Sequence, residues 1–158
     1  MKCREVNQRK QRLDDAFSRI SDISIDAIET RAHWARYLCI LVSGFTECAV
    51  RAILHEYAMD KSSPYVLSFV QSRLNQFQNP NMTSIINLVR AFNPKWGDDL
   101  QAAVEGELRS AVDSIVANRH LLAHGQHVGI SYHNIREYYD RVWRMLEILA
   151  SYCEQQGN

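Results

Sequence analysis

The stretch Asn118-Arg119-His120-Leu121-Leu122-Ala123-His124-Gly125 holds the residue types in this 158-residue chain best suited to chemistry. Histidine, with an ordinary pKa of about 6.5, can accept or donate a proton at neutral pH. Arginine presents a fixed fork of donors that matches phosphate oxygens. Together they suit proton transfer beside a phosphorus centre that is gaining negative charge. His120 and His124 are four residues apart and share one face of a helix, a spacing that also fits a metal. The sequence HLLAH lacks the glutamate of the HExxH pattern, however, and no carboxylate sits nearby in the segment, so neither metal nor cofactor is expected. A third reading needs no chemistry. Cations in the last turns of a helix gain about 0.3–1 kcal/mol each from its dipole. That does not account for an arginine and two histidines gathered at the end of an apolar helix.

These residues need a scaffold. Leu108, Ala111, Val112, Ile115, Val116 and Leu122 keep helical spacing up to the motif, after a soft point at Gly106, and Gly125 stands where a left-handed cap belongs. Gln126 to Ile130 is a connector, after which Ser131 caps a last helix with Ile135, Tyr138, Tyr139, Val142, Trp143, Leu146, Leu149 and Tyr152 on its inner surface. Upstream, Val6, Leu13, Ala16, Phe17 and Ile20 draw one apolar stripe along a charged helix, and Ser24 and Asp26 are cap residues for the next. From Ala27 to Met59 runs a long central helix, apolar nearly all round in its middle. Its one glycine, Gly44, would let another helix approach closely.

Glu47 is the carboxylate inside the apolar middle of that helix and needs a partner there. Two readings stand: an intrahelical pair with Arg51, worth about 0.3–0.5 kcal/mol, or a reach across the bundle to hold an arginine in a site. Between the central helix and the motif, Ser63-Pro64 starts a helix with Val66, Phe69, Val70 and Leu74 inward. Asn81 or Thr83 caps a short helix that ends at Asn93-Pro94, and a further run begins near Asp99. The sequence therefore predicts one domain, residues 1–158, all-α: an antiparallel bundle of about five to six helices.

Eighteen basic and eighteen acidic residues cancel, so no global field draws the chain to nucleic acid or an anionic membrane. The basic run Lys2, Arg4, Arg9, Lys10 and Arg12 is read as a solvated helix face. Cys3, Cys39, Cys48 and Cys153 show no CxxC pairing. Cys39 and Cys48 would lie about 13 Å apart along one helix, beyond disulfide reach. Reduced thiols, a polar start without a signal peptide and no bilayer-length apolar run predict a cytoplasmic protein with no membrane partner.

Arg119 and His124 with four residues between them, a polar residue after the arginine and Gly125 after the histidine resemble the R-x4–6-H motif of HEPN domains. Ser43-Gly44-Phe45-Thr46-Glu47 on the long helix and the Tyr138-Tyr139 helix make the chain most similar to the RiboL-PSP-HEPN branch. That resemblance implies an HEPN-like bundle, a homodimer that joins two motifs in one cleft, and metal-independent endoribonuclease activity. It further implies an RNA substrate and, by analogy, a toxin or defence role with an antitoxin or regulatory protein as partner. Arg119 and His124 would be catalytic. His120, Asn118 and Glu47 would support them or contact substrate, with Glu47 orienting Arg119 or the adjacent histidine. Five residues apart on a helix means side chains about 140° apart, which favours a site composed from two copies. The alternative is a non-catalytic HEPN-like module that dimerises and binds RNA, nucleotide or a protein partner.

Overall fold

The apolar spacings become helices wherever a cap or a proline sets their ends. The computed structural model describes residues 1–23 and 27–155 and contains α1 (Arg4–Ser21), α2 (Ile28–Lys61), α3 (Pro64–Asn75), α4 (Met82–Phe92), α5 (Pro94–Ala103), α6 (Glu107–Ala123) and α7 (Tyr132–Gln155). Among the described residues there is no strand. The all-α class holds. The caps expected at Ser24 and Asp26 lie outside the described residues.

Among the described residues seven helices stand where about five to six were expected, because the run before the motif is broken. Asn93 ends α4, accepts from the backbone N–H groups of Lys95 and Trp96, and so starts α5 with Pro94 in its first turn. At Gly106, φ is +84°, which ordinary residues avoid, and α6 starts anew there. Gly97 lets α4 and α5 touch: a Cβ there would come within 2.4 Å of Arg90 Cβ. Asn81 caps α4 through Ser84, and Asp113 of α6 accepts from the N–H of Met82, tying α4 to the motif helix.

The core is built around α2, which packs against α1, α3, α6 and α7. Although long and apolar enough to cross a bilayer, it has 56% of its most apolar window buried, as suits a core helix. Tyr139 of α7 fills the centre. Its ring stacks on Phe17 at 4.9 Å and meets Phe45 edge-on at 6.0 Å, while its hydroxyl donates to Asp14 Oδ1 at 2.7 Å. Burial and that carboxylate hold the phenol well above its ordinary range. Towards the other end of α2, buried Trp96 packs against Tyr57 and Tyr152. Of the basic residues of α1, Arg9 pairs with Glu5 and Lys10 with Asp14 within the helix, and Lys10 also lies over the Trp143 ring at 4.9 Å.

Two expectations about packing are corrected. In α3, Leu74 is buried and Leu67 and Val70 are half-buried, but Val66 and Phe69 point away, Phe69 being 66% exposed. The same three-and-four spacing fits the stripe Leu67, Val70, Leu74, and α2 is the main helix α3 packs against, so the sequence could not choose between faces. The second concerns Gly44: apart from its chain neighbours and its own helix's backbone, no atom of the described residues comes within 4 Å of where its Cβ would be, so no helix of the same protomer approaches it. It lies instead on an open stripe of α2 with exposed Trp34, Tyr37 and Ile40 and half-buried Leu41 and Cys48.

Candidate functional site

Helix α6 ends in the way its glycine dictates. His124 is the last residue before the turn and Gly125 takes φ +70°. The Gly125 N–H donates to Leu122 O at 3.1 Å and the Gln126 N–H to Leu121 O at 3.0 Å, the paired bonds of a Schellman cap. This cap fixes the direction in which the chain leaves the helix, and with it the position of His124.

On that last turn the rings of His120 and His124 meet edge to face, with centroids 4.4 Å apart. Both residues are exposed. Arg119 is half-buried and, among the described residues, makes no hydrogen bond and no ion pair. A guanidinium without a carboxylate keeps its charge available to an anion. Two imidazoles in contact can transfer protons, and a guanidinium on the same turns of the helix can hold a phosphate, although five residues of helical spacing turn Arg119 about 140° from His124. Among the described residues, no third histidine, cysteine or carboxylate joins the pair as a metal-binding group would require.

The remaining sequence candidates are placed differently. Asn118 donates from Nδ2 to Ser114 O at 2.8 Å, so its amide is turned back along its own helix. Glu47 is not joined by any hydrogen bond to Arg119 or to either histidine. Its carboxylate pairs with Arg51 one turn on and accepts from the Asn79 N–H at 2.6 Å. It does reach across the bundle, but to the loop between α3 and α4, where Asn79 has a φ of +45°. Of the two readings, the intrahelical pair is the one formed.

A profile of the RiboL-PSP-HEPN family matches residues 4–155. The chain belongs to the RiboL-PSP-HEPN family. Among curated proteins and among solved structures, comparison finds no match.

Sequence reasoning missed the residues that hold the motif's exit in this RiboL-PSP-HEPN chain. Arg36 of α2 donates from Nε to Val128 O at 3.0 Å, and its Nη2 lies 3.0 Å from His127 Nε2. His33 Nδ1 lies 3.5 Å from Nη1 on the other side. Arginine can only donate, so each imidazole nitrogen must offer a lone pair. Arg36 thus pins the connector that follows Gly125. The partners are 91 and 92 residues apart, and no local spacing could have revealed them. The first turns of α2, the end of α6, the connector and the start of α7 meet at one end of the bundle. They carry five of the six histidines, all but His55.

Proposed function

We propose that this protein is a metal-independent endoribonuclease whose active site is composed of two Arg119–His124 motifs at a homodimer seam. The supporting observation is that the motif is not consumed by the fold: His120 and His124 touch but are exposed, and Arg119 has no partner among the described residues.

In this reading the 2′-hydroxyl of the RNA attacks its neighbouring phosphorus. One His124 takes the hydroxyl proton, the other donates a proton to the departing 5′-oxygen, and the two Arg119 guanidinium groups hold the charged phosphorane. His120, in ring contact with His124, orients it. Asn118 sits on the same helix and contributes to substrate contact. The open stripe of α2, with Trp34, Tyr37, Ile40 and Gly44, gives the second copy an apolar surface on which a helix can approach closely. Glu47 supports this arrangement by stabilising the fold. The four unpaired cysteines suit the cytoplasm, and a toxin or defence role would bring a regulatory protein as partner.

The alternative is a binding module without catalysis, favoured by the zero net charge, since general RNA binding draws on a basic surface. Incubation with RNA in excess EDTA separates the two. Cleavage that leaves a 2′,3′-cyclic phosphate and falls about 10²–10⁴-fold in His124→Ala supports the enzyme. RNA that is bound but left intact supports the module.

A further inference from the structure

We propose that the groove between α2 and the connector, lined by Arg31, Arg36 and His127, is a second anion site that binds the phosphodiester backbone of single-stranded RNA beside the scissile phosphate. This rests on the ribonuclease reading and extends it to substrate binding.

The groove runs from Ile28 and Arg31 past Arg36 to the backbone of residues 127–131, with a volume of about 540 Å³. Its floor is rigid, because Val128 and Ile130 are buried in the core and Arg36 holds the Val128 carbonyl at 3.0 Å. Its wall is cationic. Among the described residues every hydrogen bond of Arg36 is to a neutral acceptor: one carbonyl and two imidazole nitrogens. Arg31 stacks over the Tyr132 ring at 5.3 Å and donates to Ile23 O at 3.4 Å. Among the described residues neither arginine is paired with a carboxylate. Glu29, on the first turn of α2, forms no ion pair with either arginine, and Glu137 is engaged with His133. Two guanidinium groups with no carboxylate partner among the described residues, set over a fixed backbone, suit an anion with several oxygens better than a single point charge.

Position identifies the anion. His127 follows His124 by three residues, so the groove opens within roughly 10 Å of the motif along the chain. An RNA strand whose scissile phosphate sits at His124 would lay a neighbouring phosphate there.

The test uses His124→Ala protein and a fluorescein-labelled single-stranded RNA oligonucleotide, with binding followed by anisotropy over a range of KCl. Adding Arg31→Gln or Arg36→Gln should weaken binding severalfold and flatten the salt slope by about 0.7 for each phosphate that is no longer neutralised. Arg36→Gln also removes the anchor of the connector, so Arg31→Gln, which leaves that bond intact, separates binding from folding. Unchanged affinity and slope in both variants would overturn the groove site, and cleavage by the wild-type protein would still stand. Inorganic phosphate displacing the label no better than chloride at equal ionic strength supports a backbone site. Oligonucleotide that fails to bind the His124→Ala protein overturns the proposal. A wild-type protein that leaves RNA intact while keeping its Arg31-dependent binding would instead refute the enzyme reading and keep the groove.

Discussion

The imidazole rings of His120 and His124 meet edge to face at 4.4 Å on the last turn of α6, and both remain exposed to solvent. Contact between them sets where a proton can go, because one ring restricts the rotation of the other. The Schellman bonds from Gly125 and Gln126 hold the second ring in place.

Gly125→Ala tests that cap. A left-handed conformation costs an L side chain about 1–2 kcal/mol, so the variant should lose that much stability in urea unfolding. Displacement of His124 should cost cleavage on the order of 10–100-fold. Gly125→Asn, which tolerates this conformation, should recover most of both. Equal activity in Gly125→Ala would show that the cap does not position the histidine.

The open stripe of α2 is expected to be the homodimer seam. Ile40 is 46% exposed, so Ile40→Glu should leave the protomer's stability within about 0.5 kcal/mol of the parent. Sedimentation should show the variant as a monomer, and cleavage should fall with it. Cys48 on the same stripe reports independently. Burial pushes Cys3 and Cys39 up to about 11 and Cys153 up to about 12, which leaves little thiolate at neutral pH. Cys48, half-buried on the open stripe where Cys3 and Cys39 are buried, should be alkylated before them, and more slowly at concentrations where the dimer forms.

Glu47 divides stability from catalysis. Removing it breaks the pair with Arg51 and frees the Asn79 N–H, so Glu47→Ala should cost about 1–3 kcal/mol. The protein that remains folded should cleave RNA at nearly the parental rate. A large loss of kcat at full folding would restore Glu47 to the site.

The phenol of Tyr139 makes stability depend on alkaline pH. Its folded state holds the proton above the ordinary value of about 10, whereas the unfolded chain releases it there. Stability from this group is complete below pH ~10 and falls as pH rises above it. Tyr139→Phe, which loses a bond to a charged acceptor worth about 1.5–3 kcal/mol, should be less stable at neutral pH and show a shallower alkaline decline. Tyr152, raised by burial, will keep part of the slope. An unchanged slope would contradict the role given to Tyr139.

Local signals in the chain were legible where one residue decides the backbone. Gly125, Pro64, Asn81 and Ser131 mark real helix ends, although Ser63 makes no side-chain cap bond. The inner surface of α7 was legible because its apolar residues are too many for another orientation. For α3 two stripes fit equally, and only packing against α2 selects Leu67, Val70 and Leu74. The motif itself could be found from Arg119, His120 and His124. What braces it could not, since Arg36 meets His127 across 91 residues and Glu47 finds Asn79 across 32.

The composite site is tested most directly by mixing two silent proteins. Arg119→Ala and His124→Ala are each purified, unfolded, combined and refolded so that mixed dimers form. One protomer then carries the intact arginine and the other the intact histidine. If the two motifs share a seam, the mixture should cleave RNA in EDTA above either variant refolded alone but far below the parent, because the mixed dimer brings one histidine and one arginine together where the intact seam has two of each. A mixture as inactive as its parts, with mixed dimers present, would contradict a site shared between two copies.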